Sequence, residues 1–436
     1  MADLRVAKFG GTSVASAAQL RKLQAIVDAD PARRVVVPSA PGKRSSDDQK
    51  VTDLLYLCHR MVMTGQDIAQ VWGKISARFT EIISELGLDL DLGPALDEAR
   101  DEIERGAGAA YAASRGEALH GRVVAALLGA EYVDAAEVIK LNRMNRLDES
   151  SYALLAERCS GAGRYVIPGF YGTGHEGEVR TFSRGGSDIT GAIVANALDA
   201  AVYENWTDVS GVLATDPRIV PHARPIAEVT YRELRELSYM GANVLHEDAV
   251  FPVRAKSIPI NLRNTNDPEA PGTMIVAERD AGDEIVVGIA GSPGFTVFRL
   301  EKAMMNAEIG FGRRVLDVFE RLGISYEHTP SGIDTISVVV SEESLGERTE
   351  QVLHDLNAAV EPDLIEVNHG MALIATVGQG MNRRVGTAAR LFTALANAGV
   401  NIRMIDQGSS EQNIIVGVEG TDLQAAITAI HAELVE

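Results

Sequence analysis

The chain of 436 residues has few cysteines, few lysines and no long apolar run. Its only cysteines are Cys58 and Cys159, so we expect no disulfide framework and a reducing compartment. Because no run of about 18 apolar residues occurs, we expect no membrane-spanning helix. The first residues lead into a strand-like segment without an apolar leader, which argues against secretion. The sequence therefore predicts a cytoplasmic protein.

Positive charge is scarce: 41 basic side chains stand against 61 acidic ones, and the formal net charge is −20. A chain this acidic repels nucleic acid and anionic lipid, so we expect neither as a partner. At 46% apolar and 23% charged residues, the composition is that of a globular protein with a buried core. Only eight of the basic residues are lysines, and one of them, Lys8, lies just before a pair of glycines.

The first two-thirds of the chain alternate strand and helix patterns. Residues 4–9 predict a buried strand, residues 20–27 have the apolar spacing of a helix, and residues 35–37 predict a second strand. This order is a βαβ unit, the building block of a parallel sheet. Further helices are predicted over most of 51–130 and over 188–198, and strands near 165–167, 179–182 and 201–204. Because ligands bind beyond the carboxyl ends of parallel strands, we expect the functional residues in the loops there.

An internal repeat with a constant offset of 76 residues follows a polar boundary at 278–284. The apolar segment 338–340 matches 414–416 at the same offset. The other matched pairs are Gly310 and Gly386, Arg314 and Arg390, Gly323 and Gly399, and Gly332 and Gly408. Each copy predicts a helix, a strand, a polar turn and a second strand. The repeat therefore predicts two small modules of one kind, with chance similarity as the alternative.

Three glycines, Gly172, Gly174 and Gly177, have the GxGxxG spacing of a dinucleotide-binding loop. That function requires a helix to begin at the loop, but the following residues alternate as a strand does. We therefore predict a hairpin turn here. The sequence also lacks a P-loop, an HExxH motif and paired CxxC motifs, so P-loop and zinc chemistry have no support.

The segment around Lys8, Gly10 and Gly11 is the strongest chemical signal. Glycines at a strand-to-helix turn allow backbone N–H groups to approach an anion, and a lysine at the strand end can reach a transferring phosphoryl group. The alternative is an ordinary glycine turn with a solvated lysine.

A second glycine-rich turn holds Arg184, Ser187 and Asp188 between a strand and a helix. The Arg184 guanidinium offers two parallel donors to a carboxylate. Ser187 and Asp188 have a simpler alternative function, that of capping the helix. A third turn, with Thr207 and Asp208, also follows a strand, and its alternative is a set of local side-chain hydrogen bonds.

The motifs KFGGTSV, FSRGGSD and WTDVSG, together with the two C-terminal modules, resemble aspartate kinases in order and spacing over essentially the whole chain. The similarity is greatest to the monofunctional, lysine/threonine-regulated type. It implies an α/β amino-acid-kinase fold, a parallel-rich sheet between helices, followed by two ferredoxin-like ACT modules. The implied boundaries are a catalytic domain over 1–279, a linker over 280–294, a first module over 303–369, and a second module built from 295–302 and 370–436.

The resemblance also implies roles for individual residues in ATP-dependent phosphorylation of L-aspartate. Catalytic roles fall on Lys8 and Asp188, with Mg²⁺ held mainly by the ATP phosphates and no metal site made by the protein. The implied ATP-binding residues are Lys8, Gly10, Gly11, Thr207, Asp208 and Arg218. The implied aspartate-binding residues are Ser39, Thr52, Glu117, Arg184 and Ser187.

Regulation is implied as well, with lysine, threonine or both as effectors and ACT modules that pair into a homodimer or larger oligomer. The implied effector-binding residues are Ile309, Gly310, Phe311 and Gly312, at the turn before a helix of the first module. Two alternatives remain at this stage: a kinase for another amino acid, and a catalytically weak amino-acid sensor. The second draws on Leu213 and Asn243, where the family often has an aromatic residue and a lysine.

Overall fold

A computed structural model describes residues 3–182, 185–241, 245, 249–408 and 412–435. Its helices are α1 (Ala17–Ala29), α2 (Val51–Met63), α3 (Ala69–Leu86), α4 (Gly93–Glu104), α5 (Ala109–Leu128), α6 (Ala135–Val138), α7 (Ser150–Arg158), α8 (Gly186–Ala197), α9 (Tyr231–Tyr239), α10 (Val250–Arg254), α11 (Phe311–Arg321), α12 (Glu342–Leu345), α13 (Thr349–Val360), α14 (Thr387–Asn397) and α15 (Leu423–Leu434).

The strands are β1 (Arg5–Phe9), β2 (Arg33–Pro38), β3 (Glu131–Tyr132), β4 (Tyr165–Val166), β5 (Tyr171–Thr173), β6 (Val179–Thr181), β7 (Val202–Thr207), β8 (Glu228–Thr230), β9 (Ile260–Asn264), β10 (Thr273–Val276), β11 (Gly288–Glu301), β12 (Tyr326–His328), β13 (Thr335–Ser341), β14 (Leu364–Val377), β15 (Met404–Asp406) and β16 (Asn413–Glu419). Within the described residues no helix combines the length and the apolar character needed to cross a membrane.

The chain divides into two compact units. The first contains Met1–Val212, Pro225–Tyr231 and Val244–Arg279, and the second contains Leu213–Arg224, Arg232–Asn243 and Asp280–Glu436. Two segments that the resemblance places in the catalytic domain therefore belong, by their contacts, to the second unit. The hydrogen bond from the Ile289 N–H to the Ala214 carbonyl oxygen, at 2.7 Å, is one such contact.

The first unit is built on an eight-stranded sheet in the order β3-β4-β2-β1-β7-β9-β10-β8. The strands from β3 to β9 run parallel to their neighbours, and β10 is antiparallel to β9. The apolar face of α1 is buried in the core, as its spacing predicts. The predicted βαβ unit is confirmed, and it brings the ends of β1, β2 and β7 side by side.

The glycine pair is not followed directly by the long helix. A short 3₁₀ turn over Thr12–Val14 intervenes, and α1 begins only at Ala17 because the Ser16 side chain caps it by accepting a hydrogen bond from the Gln19 N–H. The dinucleotide-like glycines lie in the hairpin of β5 and β6, where Gly177 has a φ of +87°. The hairpin prediction is therefore confirmed.

The second unit contains a six-stranded sheet in the order β12-β13-β11-β14-β16-β15. The two 14-residue strands at its centre, β11 and β14, are each shared by two modules. Residues 295–301 of β11 pair with β13, whereas residues 288–293 pair with the part of β14 that also pairs with β16. We call the β13 side the first module and the β16 side the second module.

This register differs from the predicted assignment of the strand before the first module. The sequence placed residues 295–302 in the second module and 280–294 in a linker. Residues 288–293 are the part that completes the second module, and 295–301 belong to the first. The strand bends between Pro293 and Val297, where the register shifts twice, so a single predicted strand contains two pairing segments.

The two modules repeat one another in backbone detail. Gly310 and Gly386 precede α11 and α14 with φ of +80° and +93°, and Gly323 and Gly399 follow these helices with φ of +63° and +72°. These left-handed conformations are strained for any residue with a Cβ atom, which explains why glycine recurs at the same offset. The predicted repeat is confirmed.

Candidate functional site

Lys8 lies near the end of β1, with its side chain 9% exposed. Its Nζ atom is 2.5 Å from Oδ1 of Asp188, which lies in the first turn of α8. The same Oδ1 atom accepts a 2.8 Å hydrogen bond from Nδ2 of Asn205, the residue opposite Lys8 on β7. The ammonium group is therefore held in place by one carboxylate, which is itself held by an amide.

The glycine pair leaves space in front of this ammonium group. A Cβ atom at Gly10 would lie 3.5 Å from Lys8 Nζ, and one at Gly11 would lie 3.2 Å from the Ala40 carbonyl oxygen. Neither glycine has a positive φ in the structure. Close approach therefore explains Gly11, because 3.2 Å is tighter than most Cβ contacts, whereas 3.5 Å at Gly10 is an ordinary van der Waals contact.

A cavity of about 200 Å³ opens at the carboxyl ends of β1 and β2. It brings together six residues that the sequence proposed as catalytic or substrate-binding. The lining residues are Lys8, Ser39, Thr52, Glu117, Phe170, Gly185, Gly186, Ser187 and Asp188. Residues from β1, α2, α5 and α8 meet here with Ser39, which follows β2, and this is the arrangement expected of a small-molecule site in a parallel sheet.

Glu117, on α5, is 5% exposed. Burial raises the pKa of its carboxyl group to about 8, and a hydrogen bond with the Ala40 backbone opposes this rise. Its Oε2 atom has no hydrogen-bond partner among the described residues. A buried carboxyl group with a free oxygen in a cavity is suited to a cationic ligand group, since a positive charge would stabilise its ionised form.

The start of α8 forms one wall of the cavity. Gly185, at φ of +59°, is the residue that precedes the helix, so Ser187 and Asp188 lie inside the first turn and do not cap it. The alternative capping function is therefore wrong for both. A Cβ atom at Gly169 would lie 2.6 Å from Ser187 Oγ, so this neighbouring glycine permits the turn to approach. Arg184 lies outside the described residues.

Three residues predicted to bind the nucleotide do not line this cavity: Thr207, Asp208 and Arg218. Thr207 ends β7, and its hydroxyl donates to Asp208 Oδ1 at 3.2 Å. Trp206, beside it, is a core residue whose Nε1 donates to the buried Glu204. Arg218 belongs to the second unit, has an 87% exposed side chain and pairs with Asp216 at 2.6 Å.

The predicted effector turn lies at the start of α11, which Gly310 precedes without a side-chain cap. Ile309 is 96% exposed, whereas the Phe311 side chain is buried in the module core. The Phe311 N–H is not free for a ligand, because it donates to the Glu308 carbonyl oxygen at 3.2 Å. Only Gly312 then keeps an N–H in the first turn for a ligand, among the four predicted residues.

Three residues in or beside the cavity at the ends of β1 and β2 were not predicted from the sequence. Asn205 holds Asp188, as described, and Phe170 lines the cavity with a φ of +80°, a strained conformation for a bulky residue. His120 is fully buried on α5, and its Nδ1 lies 2.8 Å from the Ser39 carbonyl oxygen. Burial lowers the pKa of His120 to about 4, so the neutral ring donates through Nδ1 and fixes the end of β2. No local pattern marks any of these three.

Comparison with known families gives two matches. The amino acid kinase family model matches residues 3–264, and an ACT domain model matches residues 374–434. Aspartokinase 3 of Bacillus subtilis (strain 168) is 40% identical over 448 residues, which covers 99% of this chain and 98% of the relative.

Solved structures are similar over the full length. The crystal structure of Clostridium acetobutylicum aspartate kinase, described as an allosteric enzyme, superposes with a TM-score of 0.92 at 47% identity, covering 99% of this chain and 100% of that one. Escherichia coli aspartokinase III in complex with aspartate and ADP (R-state) gives a TM-score of 0.78 at 26% identity, covering 100% of both chains. The same enzyme with lysine and aspartate (T-state) gives 0.77 at 27% identity, covering 99% and 100%.

Proposed function

The chain belongs to the aspartate kinase family and phosphorylates the β-carboxylate of L-aspartate with ATP, and we propose that the cavity around Lys8 and Asp188 is the catalytic site. Its product, 4-phospho-L-aspartate, begins the pathway to lysine, threonine and methionine. The observation that carries the proposal is the buried Lys8–Asp188 pair beside the glycine turn.

Lys8, Gly10 and Gly11 bind the phosphates of ATP in this proposal. The Lys8 ammonium neutralises charge that develops on the transferring phosphoryl group, and Asp188 and Asn205 hold it before the substrate arrives. Charges fixed in advance in a partly buried site cost no reorganisation during the reaction.

A Mg²⁺ ion bound to the nucleotide would neutralise charge on its phosphates. Such an ion is commonly held by one or two carboxylates plus the substrate phosphates. Asp188 fits that requirement, because Lys8 and Asn205 both contact its Oδ1 atom and leave Oδ2 for other contacts.

Aspartate binds in the remainder of the cavity. Arg184 takes its α-carboxylate, Glu117 faces its α-ammonium group, and Ser39, Thr52 and Ser187 supply the surrounding hydroxyl groups. Glu117 carries a proton in the empty cavity at neutral pH and loses it when the ammonium group arrives.

The chemical step needs no general base from the protein. The aspartate side chain, with an ordinary pKa of about 3.9, is already ionised at neutral pH. Its oxygen attacks the γ-phosphorus of ATP, the bond to the β–γ bridging oxygen breaks, and ADP leaves with that electron pair. The protein's contribution is position and charge stabilisation.

Thr207, Asp208 and Arg218 bind the nucleotide in this proposal. Thr207 is the last residue of β7, the strand that carries Asn205, and Asp208 follows it, so both lie at the same edge of the sheet as the catalytic cavity. Arg218 has an exposed guanidinium group oriented by Asp216, and that group is free to exchange partners.

The ACT modules regulate the enzyme, and we assign the effector site to the turn with Ile309, Gly310 and Gly312, which the buried Phe311 side chain anchors in the module core. Lysine, threonine or both are the effectors we propose, and lysine is a ligand of the similar E. coli enzyme. We further propose a homodimer or larger oligomer formed through these modules, and a cytoplasmic location, which suits two free and buried cysteines.

A coupled assay for ADP release tests the function directly. We expect turnover with L-aspartate and ATP, much weaker turnover with L-glutamate, and inhibition by lysine or threonine, alone or together. Turnover with glutamate equal to that with aspartate would favour a different amino-acid kinase. No turnover with either substrate would favour the sensor function.

A further inference from the structure

The two-module sheet of the second unit folds back on itself. Its outer strands, β12 and β15, are five strand spacings apart in the sheet order, or roughly 24 Å if the sheet were flat. Yet His328 of β12 lies 2.8 Å from Asp406 of β15, between Nδ1 and Oδ2. Gly294 and Gly370, with φ of +90° and +68°, lie in the middle of the shared strands. The sheet therefore bends there, and its halves face each other.

A cavity of about 260 Å³ lies where the two halves meet. Val297 of the first module and Met371 and Met404 of the second form its apolar part, and the first two are 8% and 1% exposed. This volume falls just below the range of about 300–1,000 Å³ that is typical of sites for larger organic ligands. It therefore favours a ligand of amino-acid size.

Charged side chains of both signs surround the opening. Arg299 Nη2 lies 2.9 Å from a carboxylate oxygen of Glu366, which orients that acid at the edge of the cavity. Arg403 is held much more loosely, at 3.4 Å from Asn368 Oδ1 and 3.5 Å from Glu419 Oε1. The cavity therefore offers one well-placed carboxylate and one guanidinium group with weakly engaged donors.

We propose that this cavity is a second amino-acid site, separate from the glycine turn at 309–312, for a small α-amino acid with an aliphatic or thioether side chain. Arg403 binds its carboxylate and Glu366 its ammonium group. The side chain contacts Val297, Met371 and Met404, and a thioether or branched alkyl group suits these surfaces.

The position of the site gives it a regulatory consequence. Glu366 lies on the first-module part of β14, whereas Arg403 and Met404 lie on or beside β15 of the second module. A ligand that contacts both groups links the two half-sheets. Its binding energy then stabilises the arrangement in which the two half-sheets face each other. This binding is coupled to the other sites to the extent that their ligands prefer the same arrangement or a different one.

Calorimetry on the full chain, with L-leucine and L-methionine as probes, tests the proposal. Two truncated analogues of leucine separate its charges: 4-methylpentanoate lacks the ammonium group, and 3-methylbutylamine lacks the carboxylate. We expect one bound L-leucine or L-methionine per chain and at least about tenfold weaker binding of both analogues, the scale of one charge-assisted hydrogen bond.

Arg403→Gln and Glu366→Gln should each weaken L-leucine binding by about tenfold or more. Glu366→Gln should in addition abolish the preference for leucine over 4-methylpentanoate. The matched control is Arg321→Gln, which removes an exposed arginine that pairs with Asp317 on α11. Gly310→Asp serves as a second control, because it alters only the glycine turn. Thermal unfolding without ligand verifies that each variant folds.

Three results would overturn the proposal. The first is the absence of binding of both amino acids to the folded wild-type chain. The second is binding that survives Arg403→Gln and Glu366→Gln unchanged. The third is equal affinity for leucine and 4-methylpentanoate, since Glu366 would then have no ligand. Loss of binding in Gly310→Asp but not in the cavity variants would assign the ligand to the glycine turn.

Discussion

The proposed catalytic cavity around Lys8 and the cavity between the two ACT modules both carry charges of two signs, but they differ in exposure. The side chains of Lys8 and Asp188 are 9% and 17% exposed. Those of Arg299, Glu366 and Arg403 are 38%, 49% and 41% exposed. The first set is fixed by short contacts within the protein, and the second lies around an opening above an apolar floor.

This difference corresponds to two kinds of task. Phosphoryl transfer needs charges that are oriented before the reaction and poorly screened by water, because their value lies in stabilising a transition state. A reversible effector site needs only moderate affinity. Exposed charges provide such an affinity, because water and salt weaken their interactions. Substitutions in the first region should therefore change kcat or KM, whereas substitutions in the second should change the affinity for an effector.

The largest expected effect comes from Lys8→Ala. We expect kcat with aspartate and ATP to fall at least about a hundredfold, or roughly 3 kcal/mol, with the fold intact. The control is Lys22→Ala, which removes an exposed lysine that donates to Asn266. If the Lys8 variant kept more than about a third of the wild-type kcat, the phosphate site would lie elsewhere.

Arg184→Lys should have the next largest effect. A lysine cannot supply the two parallel donors of arginine, so we expect KM for aspartate to rise about thirtyfold, and KM for ATP far less. Initial rates over a grid of both substrates measure this. Equal changes in both KM values would indicate that Arg184 binds the phosphates of ATP.

Gly310→Asp tests the regulatory region by itself. The new carboxylate should repel an effector's own carboxylate, so we expect the inhibitory concentration of lysine or threonine to rise about tenfold with kcat unchanged. Gly310→Ala is the matched control, because it introduces the same left-handed strain at φ of +80° without the charge. Unchanged inhibition curves in the Gly310→Asp variant would contradict the assignment of the effector site.

The pKa of Glu117 predicts a pH dependence of aspartate binding. Because burial raises that pKa to about 8, the empty site is mostly protonated below pH 8, and binding an ammonium group then requires proton release. The apparent affinity for aspartate should therefore rise about tenfold from pH 7 to pH 9 and level off. Glu117→Gln should flatten this profile, and a slope that persists in the variant would assign it to another group.

The smallest effect is expected from Asn205→Ala. Its amide positions Asp188 and does not line the cavity, so we expect kcat to fall about fivefold, with KM values unchanged. A double variant with Lys8→Ala measures the coupling: once Lys8 is absent, removal of Asn205 should cost little more. Fully additive losses would show that Asn205 acts independently of Lys8.

Much of this molecule could be predicted from local patterns. Lys8 and the glycine pair come from a strand-to-turn signal, and the repeat of Gly310 and Gly386 comes from a backbone conformation that only glycine adopts without strain. The family resemblance added the residues around aspartate, and the structure groups Ser39, Thr52 and Glu117 with Lys8.

What could not be predicted depends on pairing between distant segments. Asn205 looks like any strand residue until the register sets it opposite Lys8. The division of β11 between two modules depends on bulges that a strand pattern does not reveal. Packing in the module core buries the Phe311 side chain. That side chain therefore cannot contact an effector at the turn.

The shared strands impose an order on the folding of the two modules during synthesis. Residues 288–293 of β11 leave the ribosome long before their partners at 372–377 of β14. At about 5–20 residues per second, this part of the chain waits several seconds for its partners on β14. The first module can close during that interval, but the second cannot. The nascent chain therefore passes through a stage with an open strand edge, at which a chaperone or a second nascent chain can pair.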